Sequence, residues 1–228
     1  MTTLLIVRHA QASFGAVDYD CLSARGECQA SYLGDWLKQT GFLPQVVATG
    51  GLRRHRQTAE HALKALNLDY HLLEFPGFAE FDNREVMERA EPGVVERLKA
   101  LLQQGVAIGP VFQEAFKKGV GRWISGDYDH DYRQTWPRFR WQVLQSLESL
   151  IRTHPEQSIL LITSGGPIIA MFQAMTGATD ERAFEAGLSL LNCGLTRVQA
   201  SDQAMRLLSF NSAPHLEIQR DKDLITSI

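Results

Sequence analysis

The chain has 228 residues, 44% of them hydrophobic, and a formal net charge of −3. That length and apolar content suffice for a sizeable core, as one large domain or two small ones, and we read the chain as one domain with an insertion. The charge offers no long-range attraction to nucleic acid or anionic lipid. An anionic ligand must therefore be held by a local cluster of arginines, which suits a small molecule better than a polymer.

The opening MTTLLIVRHA has one short apolar run interrupted by an arginine, without the basic start and long apolar core of a signal peptide. No other apolar run approaches the length needed to span a membrane. Cys21, Cys28 and Cys193 form no close-spaced pair of the zinc or redox kind, so a reducing, cytoplasmic setting is expected.

Short apolar runs alternate with longer helical patterns, the sequence form of an α/β sheet whose strands are buried on both faces. Strands are predicted at Leu4–Val7, Gln45–Thr49, Ser158–Thr163, Leu195–Gln199 and Met205–Phe210. Between the first two, Ala30, Leu33, Trp36 and Leu37 recur at helical spacing until Gly41 ends the pattern. A second helix is expected from about Leu52 to Leu66, with Ala59, Ala62, Leu63 and Leu66 as its core stripe.

Residues 92–156 break the alternation and are read as a helical insertion covering one end of the sheet. Val94, Val95, Leu98, Leu101 and Leu102 mark one of its helices, and Phe139, Val143, Leu147, Leu150 and Ile151 a longer one. The final LEIQRDKDLITSI is weakly patterned and is expected to be a loosely docked tail. No internal repeat or low-complexity tract is visible.

In such sheets ligands bind beyond the carboxyl ends of the strands. Arg8 and His9 follow LLIV; Thr49, Gly50 and Gly51 follow QVVA; Ser164, Gly165 and Gly166 follow ILLIT. Arg8 and Arg54 could supply planar, permanently charged forks for a phosphate or carboxylate. His9, beside Arg8, would be held neutral by nearby positive charge, and a neutral imidazole is a nucleophile. Glu80 in FAEFDNREV could protonate a leaving oxygen if its surroundings raise its pKa. Taken singly, each has a plainer reading: a surface or core Arg-His pair, and an ordinary solvated acid.

Together, VRHA at 7–10, LSARGECQASYLGDWL at 22–37, LRRHRQTAE at 52–60, FAE at 78–80, TSGGPI at 163–168, LLNCGLTRV at 190–198 and FNSAPHL at 210–216 resemble the histidine phosphatase superfamily. That superfamily includes the phosphoglycerate mutases. The resemblance implies a doubly wound α/β fold, with a mostly parallel central sheet flanked by helices, as a single domain over residues 1–228. It also implies roles: His9 takes the phosphoryl group, Arg8 and Arg54 grip its oxygens, and Glu80 donates the proton. Ser164 and Gly165 would contact the substrate. No metal and no cofactor is required.

The chain departs from the family pattern at several positions. Ala10 stands where the family usually has glycine, Gly50 where it often has serine, and Ala12 and Gly15 where small polar residues are common. The largest departure is Ser164, where most members carry a second histidine that donates a hydrogen bond to the phosphoryl group. A neutral donor in place of a charged one costs on the order of 1 kcal/mol, whereas losing a donor outright costs about 10²–10³ in rate. Amides at the start of the following helix would compensate in part, and Pro167 suits a first helical turn. A working but weakened or specialised site is expected.

No other histidine looks well placed to stand in. His55 lies about 100° around the helix from Arg54, and His61 lies two turns further on, roughly 10 Å by helical rise. His215 is expected to make a structural hydrogen bond. DYDHDYR at 127–133 lacks the glycine and glutamate of a calcium loop and reads as a solvated acidic loop. FKKGVGRW at 116–123 reads as a surface loop, with a rim contact to substrate as the alternative, and Trp123, Trp136 and Trp141 as packing residues.

The function expected is a phosphomonoesterase working through a phosphohistidine on a small phosphorylated metabolite. A weakly active or inactive phosphate-ester binding module and a mutase-type phosphotransfer are the alternatives. Neither nucleic acid nor membrane is expected as a partner, and a homo-oligomer stays open.

Overall fold

The computed structural model describes residues 1–13, 20–201 and 204–227. In chain order the elements are β1 (Thr2–Arg8), α1 (Ala24–Thr40), β2 (Val46–Thr49), α2 (Arg53–Leu66), β3 (Leu72–Glu74), α3 (Asn83–Ala90), α4 (Val94–Gln103), α5 (Gly109–Ile124) and α6 (Trp136–Thr153). There follow β4 (Ser158–Thr163), α7 (Gly165–Thr176), α8 (Asp180–Gly187), β5 (Leu195–Ala200), β6 (Met205–Ser212) and α9 (Pro214–Glu217). The chain divides into two compact units, Met1–Ala79 with Gln142–Ile228, and Glu80–Trp141.

The first unit holds a mixed sheet in the order β3-β2-β4-β1-β5-β6. Its first four strands run parallel; β5 is antiparallel to β1, and β6 to β5. The fold is α/β, as expected from the alternation. All five predicted strands are present, with ends moved by a residue or two. The sixth, β3, has only three residues, all part-exposed or exposed, so it carries no apolar run to read.

Side chains alternate across the sheet. Leu5, Val7, Val47, Leu160 and Ile162 join Leu33, Trp36, Leu37, Ala59, Ala62, Leu63 and Leu66 of α1 and α2 in one core. Leu4, Ile6, Ile159 and Leu161 point the other way and are equally buried, and α7 packs on β1 and β6. Both faces are thus covered, which is why the central strands are uninterrupted apolar runs.

Local signals explain the helix ends. Ser23 caps α1 by accepting a hydrogen bond from the Gly26 amide at 3.0 Å, and Gly41 closes it in the left-handed region at φ 70°. A Cβ on Gly26 would collide with the Gln11 carbonyl oxygen, so LS-x-x-G encodes both the cap and a close backbone approach. Gly34 brings α1 against α2, where a Cβ would collide with the Ala62 carbonyl.

The C-terminal segment is not loosely docked. Buried Gln29 donates to the Leu224 carbonyl at 2.7 Å, the Asn192 amide to the Thr226 carbonyl at 2.7 Å, and the Thr226 hydroxyl to the Asn192 side chain at 2.8 Å. Two of these bonds are made by the backbone of the segment and one by a hydroxyl, which a search for apolar periodicity does not register.

In the second unit, Phe81, Trp123, Trp136 and Phe139 form an aromatic cluster, with Phe81 and Trp123 ring centroids 4.6 Å apart. Trp123 and Trp136 are packing residues as expected, whereas Trp141 is 61% exposed. FKKGVGRW is part of α5 and not a loop. Gly119 there approaches α3, since a Cβ would lie 2.9 Å from the Val86 carbonyl oxygen. Within 127–133, Arg122 pairs with Asp131, whose carboxyl that guanidinium holds below the usual range. Among the described residues no helix is long and apolar enough to cross a membrane.

Gly34→Ala should lower stability by about 1–3 kcal/mol although alanine favours helix, because the added methyl must force α1 and α2 apart. Urea denaturation measures this, and a gain in stability would contradict the packing described.

Candidate active site

Arg8, the last residue of β1, is the register partner of Thr163, the last of β4. The His9 amide then donates to the Thr163 carbonyl at 2.8 Å. His9 and Ser164 are therefore the first residues beyond two neighbouring parallel strands, at their carboxyl ends. Gly50 leaves β2 at the same level, its amide donating to the Ile162 carbonyl at 3.2 Å.

The segment before β5 fixes the backbone under His9. The Cys193 amide donates to the carbonyls of Arg8 (3.0 Å) and His9 (3.3 Å), and the Asn192 side chain donates to the latter at 3.4 Å. From α2, the Thr58 hydroxyl accepts from the Ala10 amide at 3.0 Å and donates to the Arg54 carbonyl at 2.7 Å. Thr58 thus ties the loop carrying His9 to the turn carrying Arg54.

His9 is 5% exposed, and its ring Nδ1 lies 2.8 Å from the Ala10 carbonyl oxygen. A carbonyl only accepts, so Nδ1 carries the proton and the Nε2 lone pair is bare. Burial, then Arg54, Arg8 and His55, hold the ring well below the ordinary value of 6.5. The neutral state expected from neighbouring charge is present, but burial is its larger cause.

Arg54 is 7% exposed. Its Nη1 pairs with Asp20 Oδ1 at 2.7 Å, and its Nη2 donates to Ser164 Oγ at 3.4 Å. Asp20 Oδ2 also accepts from the Arg53 amide at 2.9 Å, so one carboxylate orients the start of α2 and its guanidinium together. Arg8 commits Nη1 to the Leu190 and Ser227 carbonyls, the latter at 2.6 Å, which sets its guanidinium plane.

Ser164 is fully buried and extended, at φ −110° and ψ 179°, immediately before α7. Gly165 is the first helical residue, in the turn whose amides have no carbonyl within the helix to receive them. Ser164 makes no capping bond with its side chain. Its hydroxyl lies 2.7 Å from His55 Nε2 instead.

His55 corrects the reading that no other histidine is well placed. It is fully buried, and its ring centroid lies 5.6 Å from that of His9. The 100° offset from Arg54 did not exclude it because the first turn of α2 buries Arg54 and His55 together. Gly50 makes the room: a Cβ there would collide with the Phe78 carbonyl and lie 2.8 Å from His55 Nδ1.

The structure thus brings His9, Arg8, Arg54, Ser164 and Gly165 into the first unit, while Glu80 opens the second, its Oε1 accepting from the Phe81 amide at 3.3 Å. Ala12 bridges to Leu22, and Gly15 lies outside the described residues. His215 does not make the expected structural bond: it is buried near Trp36, and neither ring nitrogen finds a hydrogen-bond partner among the described residues. No cluster of three or more His, Cys, Asp or Glu with metal-holding geometry occurs among the described residues.

A family model described as histidine phosphatase superfamily (branch 1) matches residues 4–213. The chain belongs to the histidine phosphatase superfamily. Its fold is similar to that of a phosphoserine phosphatase variant from Entamoeba histolytica in complex with phosphoserine, at 18% identity and TM-score 0.66, covering 95% of this chain and 100% of that one. A phosphoglycerate mutase from Bacillus anthracis matches at 15% identity and TM-score 0.68, covering 96% and 97%. A mycobacterial glucosyl-3-phosphoglycerate phosphatase matches at 16% identity and TM-score 0.61, covering 92% and 98%. At these identities the likeness is one of fold. No curated protein sequence matches the chain.

His9, His55 and His215 are all held neutral, His215 down to about 4 by burial. Their unfolded-state value is 6.5, so as pH falls through it the unfolded chain gains protons that the folded chain does not take up. Their contribution to stability is present above that value and is lost below it. The melting temperature should be lower at pH about 5.5 than at about 7.5, by less in His215→Phe. An unchanged or higher value at acid pH would contradict this.

Proposed function

We propose that the protein is a phosphomonoesterase that acts through a phosphohistidine on a small phosphorylated metabolite. The observation that carries the reading is the buried His9 ring, proton on Nδ1 and lone pair on Nε2, within the electrostatic reach of Arg54 and Arg8. Membership of the superfamily and the fold likeness to two phosphatases support it.

In this reading His9 Nε2 attacks phosphorus, forming a P–N bond as the ester P–O bond breaks. Glu80, assigned on the FAE motif alone, gives its proton to the departing oxygen. Water then attacks phosphorus and breaks the P–N bond, its proton passing to the Glu80 carboxylate, so enzyme and inorganic phosphate are regenerated. Arg54 and Arg8 face the phosphoryl oxygens throughout, Arg54 held in place by Asp20. A cytoplasmic setting belongs to the same proposal.

Ser164 in the place of a second histidine favours one further reading, a phosphate-ester binding module with little turnover. Steady-state hydrolysis of p-nitrophenyl phosphate separates the two. We expect the wild type to release product, His9→Ala to fall to background, and Arg54→Ala to lose about 10²–10³ in kcat/KM. Wild-type release no greater than that of His9→Ala, with inorganic phosphate still bound in calorimetry, would replace the enzyme by the binding module.

A further inference from the structure

Resting on that phosphatase reading, we propose that His55 is a positioning residue that turns Ser164 into a directed hydrogen-bond donor to the phosphoryl group. The placement of protons around two buried side chains leads to it. His55 Nδ1 is buried and has no hydrogen-bond partner among the described residues, whereas Nε2 lies 2.7 Å from Ser164 Oγ. A proton on Nδ1 would be a buried N–H with nothing to receive it, which costs more than leaving a lone pair there. The favoured tautomer carries its proton on Nε2 and donates to Ser164. Burial, Arg54 and Arg56 keep the ring neutral, so it has this one proton to give.

Ser164 Oγ then receives two N–H groups, from His55 and from Arg54 Nη2 at 3.4 Å. A serine oxygen has two lone pairs and one proton. With both lone pairs engaged, the hydroxyl proton is left for a third partner. With His55 and Arg54 both donating, neither partner of Ser164 Oγ among the described residues accepts it, and Ser164 stands beside His9 at the strand ends. The third partner is an oxygen of the phosphoryl group on His9. Donation into Oγ also polarises its O–H bond, so the serine is a better donor than an isolated hydroxyl.

The same geometry joins two sequence departures, Gly50 and Ser164, with His55 in one device. Gly50 leaves the volume that the His55 ring fills, and the ring reaches as far as a short side chain at 164. A histidine at 164 would have to share that volume, since Ser164 and His55 are both fully buried. The imidazole is present in this site, but it enters from α2 and acts through the serine.

The test is a double-mutant cycle on p-nitrophenyl phosphate hydrolysis and on the affinity for inorganic phosphate, using Ser164→Ala and two replacements of His55 that fill its pocket. Gln keeps an N–H near the Nε2 position; Leu does not. Losing the relay should cost on the order of ten-fold or more in kcat, with KM moved less. His55→Leu and Ser164→Ala should each show that loss, the double variant should be no worse than Ser164→Ala, and His55→Gln should recover most of the activity. The phosphate dissociation constant should follow the same pattern. Ser164→His alone should lower activity, and adding His55→Ala should restore part of it.

Losses that multiply in the double variant would overturn the relay. So would His55→Gln as impaired as His55→Leu with both melting like the wild type. If His9→Ala leaves hydrolysis unchanged, the phosphatase reading fails separately, and the phosphate affinities of the four-membered cycle decide the relay by themselves.

Discussion

A backbone carbonyl can only accept a hydrogen bond, and the Ala10 carbonyl lies 2.8 Å from His9 Nδ1. That single contact decides which nitrogen of the ring is bare. Much of the first unit serves to keep it in place. The Ala10 amide is bonded to Thr58, the His9 amide to β4, and the His9 carbonyl to the segment before β5. With the peptides on either side of His9 anchored, the ring cannot flip without losing its partner in a buried setting.

The parallel register then determines what the ring faces. Because Arg8 pairs with Thr163, the next residue of each strand enters the site together, His9 from one and Ser164 from the other. Helix α2 starts beside them and delivers Arg54 and His55 from adjacent positions, with Asp20 steering the guanidinium. Four groups from three segments converge, and two of them, His55 and Arg54, meet on the oxygen of a third. Burial does the electrostatic work: it keeps both rings uncharged, so positive charge in the site resides on the arginines.

What could be read in the sequence follows from how each element is stabilised. Strands β1, β2 and β4 are buried on both faces and stand out as apolar runs, and the stripes of α1 and α2 are regular. β3 is a three-residue strand at the sheet edge and carries no such signal. The docked C-terminal segment is held by polar bonds, and the helical FKKGVGRW has a close glycine contact among its packing, which apolar spacing does not record. In the site, His9, Arg54 and Ser164 were visible because they follow strands or lie in a motif. Asp20, Thr58 and His55 were missed because each acts through a neighbour. Gly50 and Ser164 together did carry a signal for His55: two short residues at adjoining strand ends leave the volume of a ring.

Turnover as proposed requires Nε2 of His9 to form a covalent bond to phosphorus. The most direct measurement is rapid mixing of the protein with p-nitrophenyl phosphate, an alkaline quench that preserves phosphohistidine, and location of the phosphate by peptide mass spectrometry. A phosphate on His9 that forms and decays at rates compatible with turnover is expected. Phosphate on Ser164 or another side chain, or product released with no phosphorylated protein at any time, would contradict it.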